Sequence, residues 1–65
     1  MSQSVYSVVK IYNNEPDDVA VFDSEDAAVA YADELADRED YQMISIIWTK
    51  LNNTNMQVTV KEMRK

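Results

Sequence analysis

The chain contains no glycine, cysteine or histidine and one proline, and its 6 Lys and Arg stand against 12 Asp and Glu in 65 residues. Without cysteine there is no disulfide framework, thiol nucleophile or Cys-based zinc site. Without histidine there is no imidazole base and no His-ligated metal. Phosphate loops of the G-x-G-x-x-G and G-x-x-x-x-G-K-[ST] kinds are excluded as well, because both require glycine. No stretch approaches the ~20 apolar residues that a membrane-crossing helix needs. Met1-Ser2-Gln3-Ser4 lacks the basic and apolar regions of a signal peptide. With cysteine also absent, the expected location is cytoplasmic.

What is present fits a folded domain. Hydrophobic residues make up 46% of the chain and include Trp48, Phe22 and four tyrosines, more than a disordered acidic tail carries. The length allows one domain, residues 1–65. A domain of this size buries only ~60% of the surface its unfolded chain exposes, so compact packing or self-association must supply its stability.

Val5 to Tyr12 is β-branched and aromatic, as strands are. Asn13-Asn14-Glu15-Pro16-Asp17-Asp18 reads as a turn in which Asn and Asp replace the missing glycine, and Pro16 argues against a central strand. Val19 to Phe22 gives a short second strand. Asp23 or Ser24 then serves as the N-cap of a helix from Glu25 to about Asp40, with Glu25 and Asp26 in the first turn, where the dipole favours anions. At 100° per residue Ala27, Ala28, Tyr31, Ala32 and Leu35 form its core face. Tyr41 to Lys50 returns to strand composition, Asn52 to Asn55 makes a second turn, and Met56 to about Met63 alternates, with Met56, Val58 and Val60 on one face. The expected fold is α+β, in β-β-α-β-β order: a four-stranded antiparallel sheet with one helix packed on one face.

A sheet covered on one side should be apolar on one face only. The last strand obeys this rule. The first does not, since Val5, Val9 and Ile11 oppose Tyr6, Val8 and Tyr12; nor does the third, where Ile44, Ile46 and Trp48 oppose Tyr41, Met43 and Ile47. One face is therefore expected to keep an apolar and aromatic patch. Either β-bulges shift the parity or a buried interface uses it, and a symmetric homodimer is the commonest such interface.

Charge is unevenly distributed. Residues 1–14 carry +1 from Lys10, residues 15–40 carry eleven acids against Arg38 for −10, and residues 41–65 carry four cations against Glu62 for +3, summing to −6. Asp26, Asp33, Asp37 and Asp40 cluster opposite the helix's apolar face, with Glu34 at their edge. Asp33 and Asp37 repel at i,i+4 spacing, and Asp37, Glu39 and Asp40 crowd the C-terminal end, where the dipole disfavours anions. Local rules broken without local compensation mark functional sites. Seven carboxylates between Glu25 and Asp40 lie over ~24 Å, about one per 3.4 Å, the axial charge density of a single DNA strand. Such a ridge can enter a basic groove made for nucleic acid, and Glu15, Asp17, Asp18 and Asp23 extend the anionic surface.

Competing readings remain. A charged helix face is usually only solvated. The turn acids lack the glycine and the alternation of a calcium loop, so no metal or other cofactor is implied. Catalysis by paired carboxylates requires a cleft of ~300 Å³ or more, for which so small a domain rarely has room, so the chain reads as non-enzymatic. The negative charge argues against direct nucleic-acid binding.

With its size, its lack of cysteine, its acidic ridge and its compact α/β order, the chain resembles as a type the small acidic proteins that phages and mobile elements use to disarm host nucleases: DNA mimics and anti-CRISPR proteins. The resemblance implies a stoichiometric inhibitor in the host-cell cytoplasm, binding a basic nucleic-acid-binding protein or effector complex through Asp26, Asp33, Glu34, Asp37 and Asp40. The alternative is a small dimeric interaction module working through its sheet face, with Tyr6, Tyr12 and Trp48 as anchors.

Overall fold

The computed structural model describes residues 4–50 and 57–65. Strands β1 (Ser4–Tyr12), β2 (Glu15–Phe22), β3 (Met43–Lys50) and β4 (Gln57–Arg64) form one antiparallel sheet in the order β2-β1-β3-β4, and helix α1 (Glu25–Arg38) connects β2 to β3. This is the α+β domain that the sequence led us to expect. The asparagine turn expected at residues 52–55, and Met56 as the start of the last strand, lie outside the described residues.

The first hairpin is tighter than expected. Only Asn13 and Asn14 turn the chain, at φ 54° and 63°. Two successive left-handed residues give the turn a twist that matches right-handed strands, and asparagine tolerates them where glycine is lacking. β2 therefore starts at Glu15 and contains Pro16, which is tolerated because β2 is an edge strand and one side of its backbone needs no ladder partner. Lys10 pairs with Asp18 and Ile11 with Pro16, leaving Asp17 as the extra residue of a β-bulge.

Ser24 is the N-cap: its Oγ accepts the Ala27 N–H at 3.2 Å. The helix ends at Arg38, short of the expected Asp40. Glu39 turns to extended backbone, its N–H still reaching the Leu35 carbonyl at 2.9 Å. Ala28, Ala32 and Leu35 are buried against Val8, Ile44 and Ile46, with Tyr6, Phe22 and Tyr31 packed around them. The two alanines let the helix approach the sheet closely. Each fully buried Val, Leu or Ile contributes ~1.5–3 kcal/mol of transfer free energy.

The two faces of the sheet differ from the expected pattern in one respect. Tyr6, Val8 and Lys10 of β1 pair with Trp48, Ile46 and Ile44 of β3, and all six share the helix side. Val5, Ser7, Val9 and Ile11 with Thr49, Ile47, Ser45 and Met43 share the other side. An open face with apolar residues exists, but Tyr6 and Trp48 are not on it. In β4 the clean alternation breaks at a bulge: Ile46 pairs with Lys61 and Ile47 with Thr59, so Val60 is skipped and Lys61 shares the helix side with Val58 and Met63. The helix packs on β1, β3 and β2 but not on β4, which leaves Val58 53% exposed although it lies on the helix side.

Candidate partner-binding surface

On α1 the acids Asp26, Asp33 and Asp37 fall within about 40° of arc at 100° per residue, opposite Ala28, Ala32 and Leu35, and all three are exposed. Glu34 lies beside them and pairs with Arg38, four residues on, at 3.3 Å. Asp33 lies 3.6 Å from Lys61 of β4. Pairs as exposed as these contribute ~0–1 kcal/mol and leave the carboxylates accessible. Asp26 and Asp37 have no cation within 4.0 Å among the described residues.

Asp40 does not belong to this stripe. It lies beyond the helix end, where it accepts the Tyr41 N–H at 3.0 Å and the Lys65 ammonium at 3.1 Å, and these partners hold its carboxyl below its ordinary range. Glu39, the other acid thought to crowd the helix end without compensation, accepts Lys10 Nζ at 2.6 Å. Tertiary partners thus relieve two of the three C-terminal acids, and only Asp37 stays uncompensated in the last turn. Within Glu25–Arg38 there are five carboxylates over ~21 Å, about one per 4 Å, sparser than the DNA-like spacing reckoned to Asp40.

The acids of the first hairpin divide in the same way. Glu15 and Asp23 are exposed. Asp17 lies 2.6 Å from the Lys10 ammonium, and Asp18 accepts the Tyr31 hydroxyl proton. Lys10 is only 3% exposed, on the helix side of β1, held between Asp17 and Glu39. Asp17 first and Glu39 second keep its pKa well above the ordinary value, and the hydrogen bond to Asp18 raises that of Tyr31. This cluster ties β1, the β2 bulge and the helix end together, so Asp17 and Asp18 serve the fold. A sequence signal for it exists in retrospect: Lys10 sits at the same parity as Val8 and Tyr6, a cation on a buried face, which requires carboxylate partners.

Two further surface features complete the picture. Asn14 N–H donates to Gln42 Oε1 while Gln42 Nε2 donates to Asn14 Oδ1 at 3.2 Å, which locks the hairpin turn to the loop after the helix. Beside this lock lies a shallow, open depression of about 500 Å³, larger than a domain of this length was expected to offer. Its charged groups are Asp40, Arg64 and Lys65; the first and last bond each other, and Arg64 bonds Glu62 at 2.6 Å. Among the expected anchors, Tyr6 is packed on the core, Trp48 is half-buried between Tyr6 and Val58 on the helix side, and Tyr12 is 41% exposed at the hairpin end. The three do not form one patch.

No helix among the described residues is long and apolar enough to cross a membrane. In comparisons with known proteins, no protein-family model, no curated protein and no solved structure matches the chain.

Proposed function

We propose that the chain is a non-enzymatic acidic binding protein that occupies a basic nucleic-acid-binding surface of a nuclease or CRISPR effector. The observation that carries this reading is the exposed carboxylate stripe Asp26, Asp33 and Asp37 on α1, flanked by Glu34. Asp37 remains in the last helical turn, unfavourable to the dipole and four residues from Asp33, with no cation near it among the described residues. A stripe selected only for stability would carry Lys or Arg there. Asp23 and Glu25, also exposed, widen the anionic surface at the helix start, while the exposed Glu15 lies at the opposite end of β2, beside the hairpin turn. Asp40 sits at its margin, while Asp17 and Asp18 belong to the interior cluster and drop out of the contact set.

The test is binding to basic nucleic-acid-binding proteins captured from host lysate, each then assayed for release of its nucleic acid. Raising salt from 50 to 200 mM should weaken binding about 10-fold or more, because long-range charge attraction is screened. The double variant Asp33→Lys, Asp37→Lys should lose binding while keeping its circular dichroism spectrum, since both side chains are exposed. Binding that ignores both salt and this variant would refute the reading.

A further inference from the structure

The face of the sheet turned away from α1 carries no second layer among the described residues and differs in chemistry from the helix side. The strand registers set its side chains in rows: Val19, Val9, Ser45, Glu62; then Val21, Ser7, Ile47, Thr59; then Pro16, Ile11, Met43, Arg64. The β2, β1 and β3 positions are aliphatic or small, with Ser7 and the buried Ser45 between the aliphatic side chains and Thr49 at one end, and the charged ones fall on β4 at one margin. Val19 and Val21 are 58% and 61% exposed and lie next to one another in register on this face, so they form part of one patch. In a chain of net charge −6, the only charged side chains on this face among the described residues are Glu62 and Arg64, and they neutralise each other at 2.6 Å.

We propose that a second copy of this chain covers this face, the two sheets stacking with their helices outward. An apolar centre with a polar margin is the anatomy of a protein interface. Its area suffices: four strands about 4.8 Å apart and eight residues rising about 3.3 Å each give roughly 500 Å² per copy, about 1,000 Å² in all, the lower bound for a specific interface. Charge selects the occupant. Two faces of zero net charge meet without repulsion, while the acidic helices end up about 30 Å apart, three layers of ~10 Å, well beyond the ~8 Å Debye length. A strongly basic partner would be drawn to the helix side instead, and nothing on the open face attracts an anionic lipid surface. The inference is independent of what the acidic stripe binds.

Sedimentation equilibrium on the intact chain tests it. The expected mass is twice the 7.5 kDa of one chain, unaffected or favoured by added salt. Val21→Lys and, separately, Val19→Lys should each raise the dimer dissociation constant about 10-fold or more, because a two-fold interface carries every substitution twice. Circular dichroism should stay unchanged, since neither valine is buried in the single chain. A monomeric mass up to about 1 mM would overturn the proposal. So would a dimer whose dissociation constant is unchanged by both lysine variants, which would place the contact elsewhere on the molecule.

Discussion

Lys10 and Arg38 are the two cationic side chains among the first forty-nine residues, and Lys10 is used inside the molecule rather than at its surface. Its pKa and that of Tyr31 both lie above their ordinary values of 10.5 and 10.0. A raised folded-state pKa means that the native state binds the proton more tightly. The stability from each group is complete below its ordinary value and is lost as pH rises through the raised one. Urea midpoints should therefore hold from pH 8 to about 10 and fall above it. Tyr31→Phe should remove the earliest part of that fall and leave the part due to Lys10; a flat profile up to pH 11 would contradict the cluster. Asp40 works in the opposite sense. Its depressed pKa adds stability above its ordinary 3.8 that is lost as pH falls through the folded value, and Lys65→Ala should reduce that contribution, leaving the part due to the Tyr41 N–H.

At the scale of elements, the helix start is the most local feature. Ser24→Ala removes the acceptor for Ala27 N–H and should cost ~1 kcal/mol in urea denaturation with no change in the slope. Strands and helix alike could be read from the sequence, because their signals are short-range: the β-branched run from Val5, the alanine face of α1, the alternation near the C-terminal end. The start of β2 could not. Pro16 argues against a central strand, and edge position is a property of the sheet order, which neighbouring residues do not encode. The end of α1 and the fates of Glu39, Asp17 and Asp18 were hidden for the same reason, since their partner Lys10 or Tyr31 lies up to 29 residues away. The exposed stripe Asp26, Asp33 and Asp37 was legible from helical spacing alone. The side taken by Tyr6 and Trp48 was not, because parity says which residues share a face and not which face the helix covers.

For the molecule as a whole, size sets the margin. At 0.05–0.15 kcal/mol per residue the chain has about 3–10 kcal/mol of stability. Leu35 is 1% exposed at the centre of the single core. Leu35→Ala should remove ~2–5 kcal/mol, a large share of that margin, read as a fall in the urea midpoint with the slope unchanged. Asp26→Asn, on the exposed stripe, should cost no more than the ~0.3–1 kcal/mol that an anion in the first helical turn contributes. Core and acidic stripe are thus separable: the first decides whether the chain folds, the second what the folded chain can attract.

The skipped helix cover over β4 also gives the protein a built-in optical probe. Trp48 is the only indole in the chain, half-buried at the boundary where α1 stops shielding the sheet. Its fluorescence reports on the β3–β4 side of the domain without any label. It faces away from the open sheet, so a second copy stacking there would leave its emission nearly unchanged, whereas a strand added along β4 would shift it to the blue.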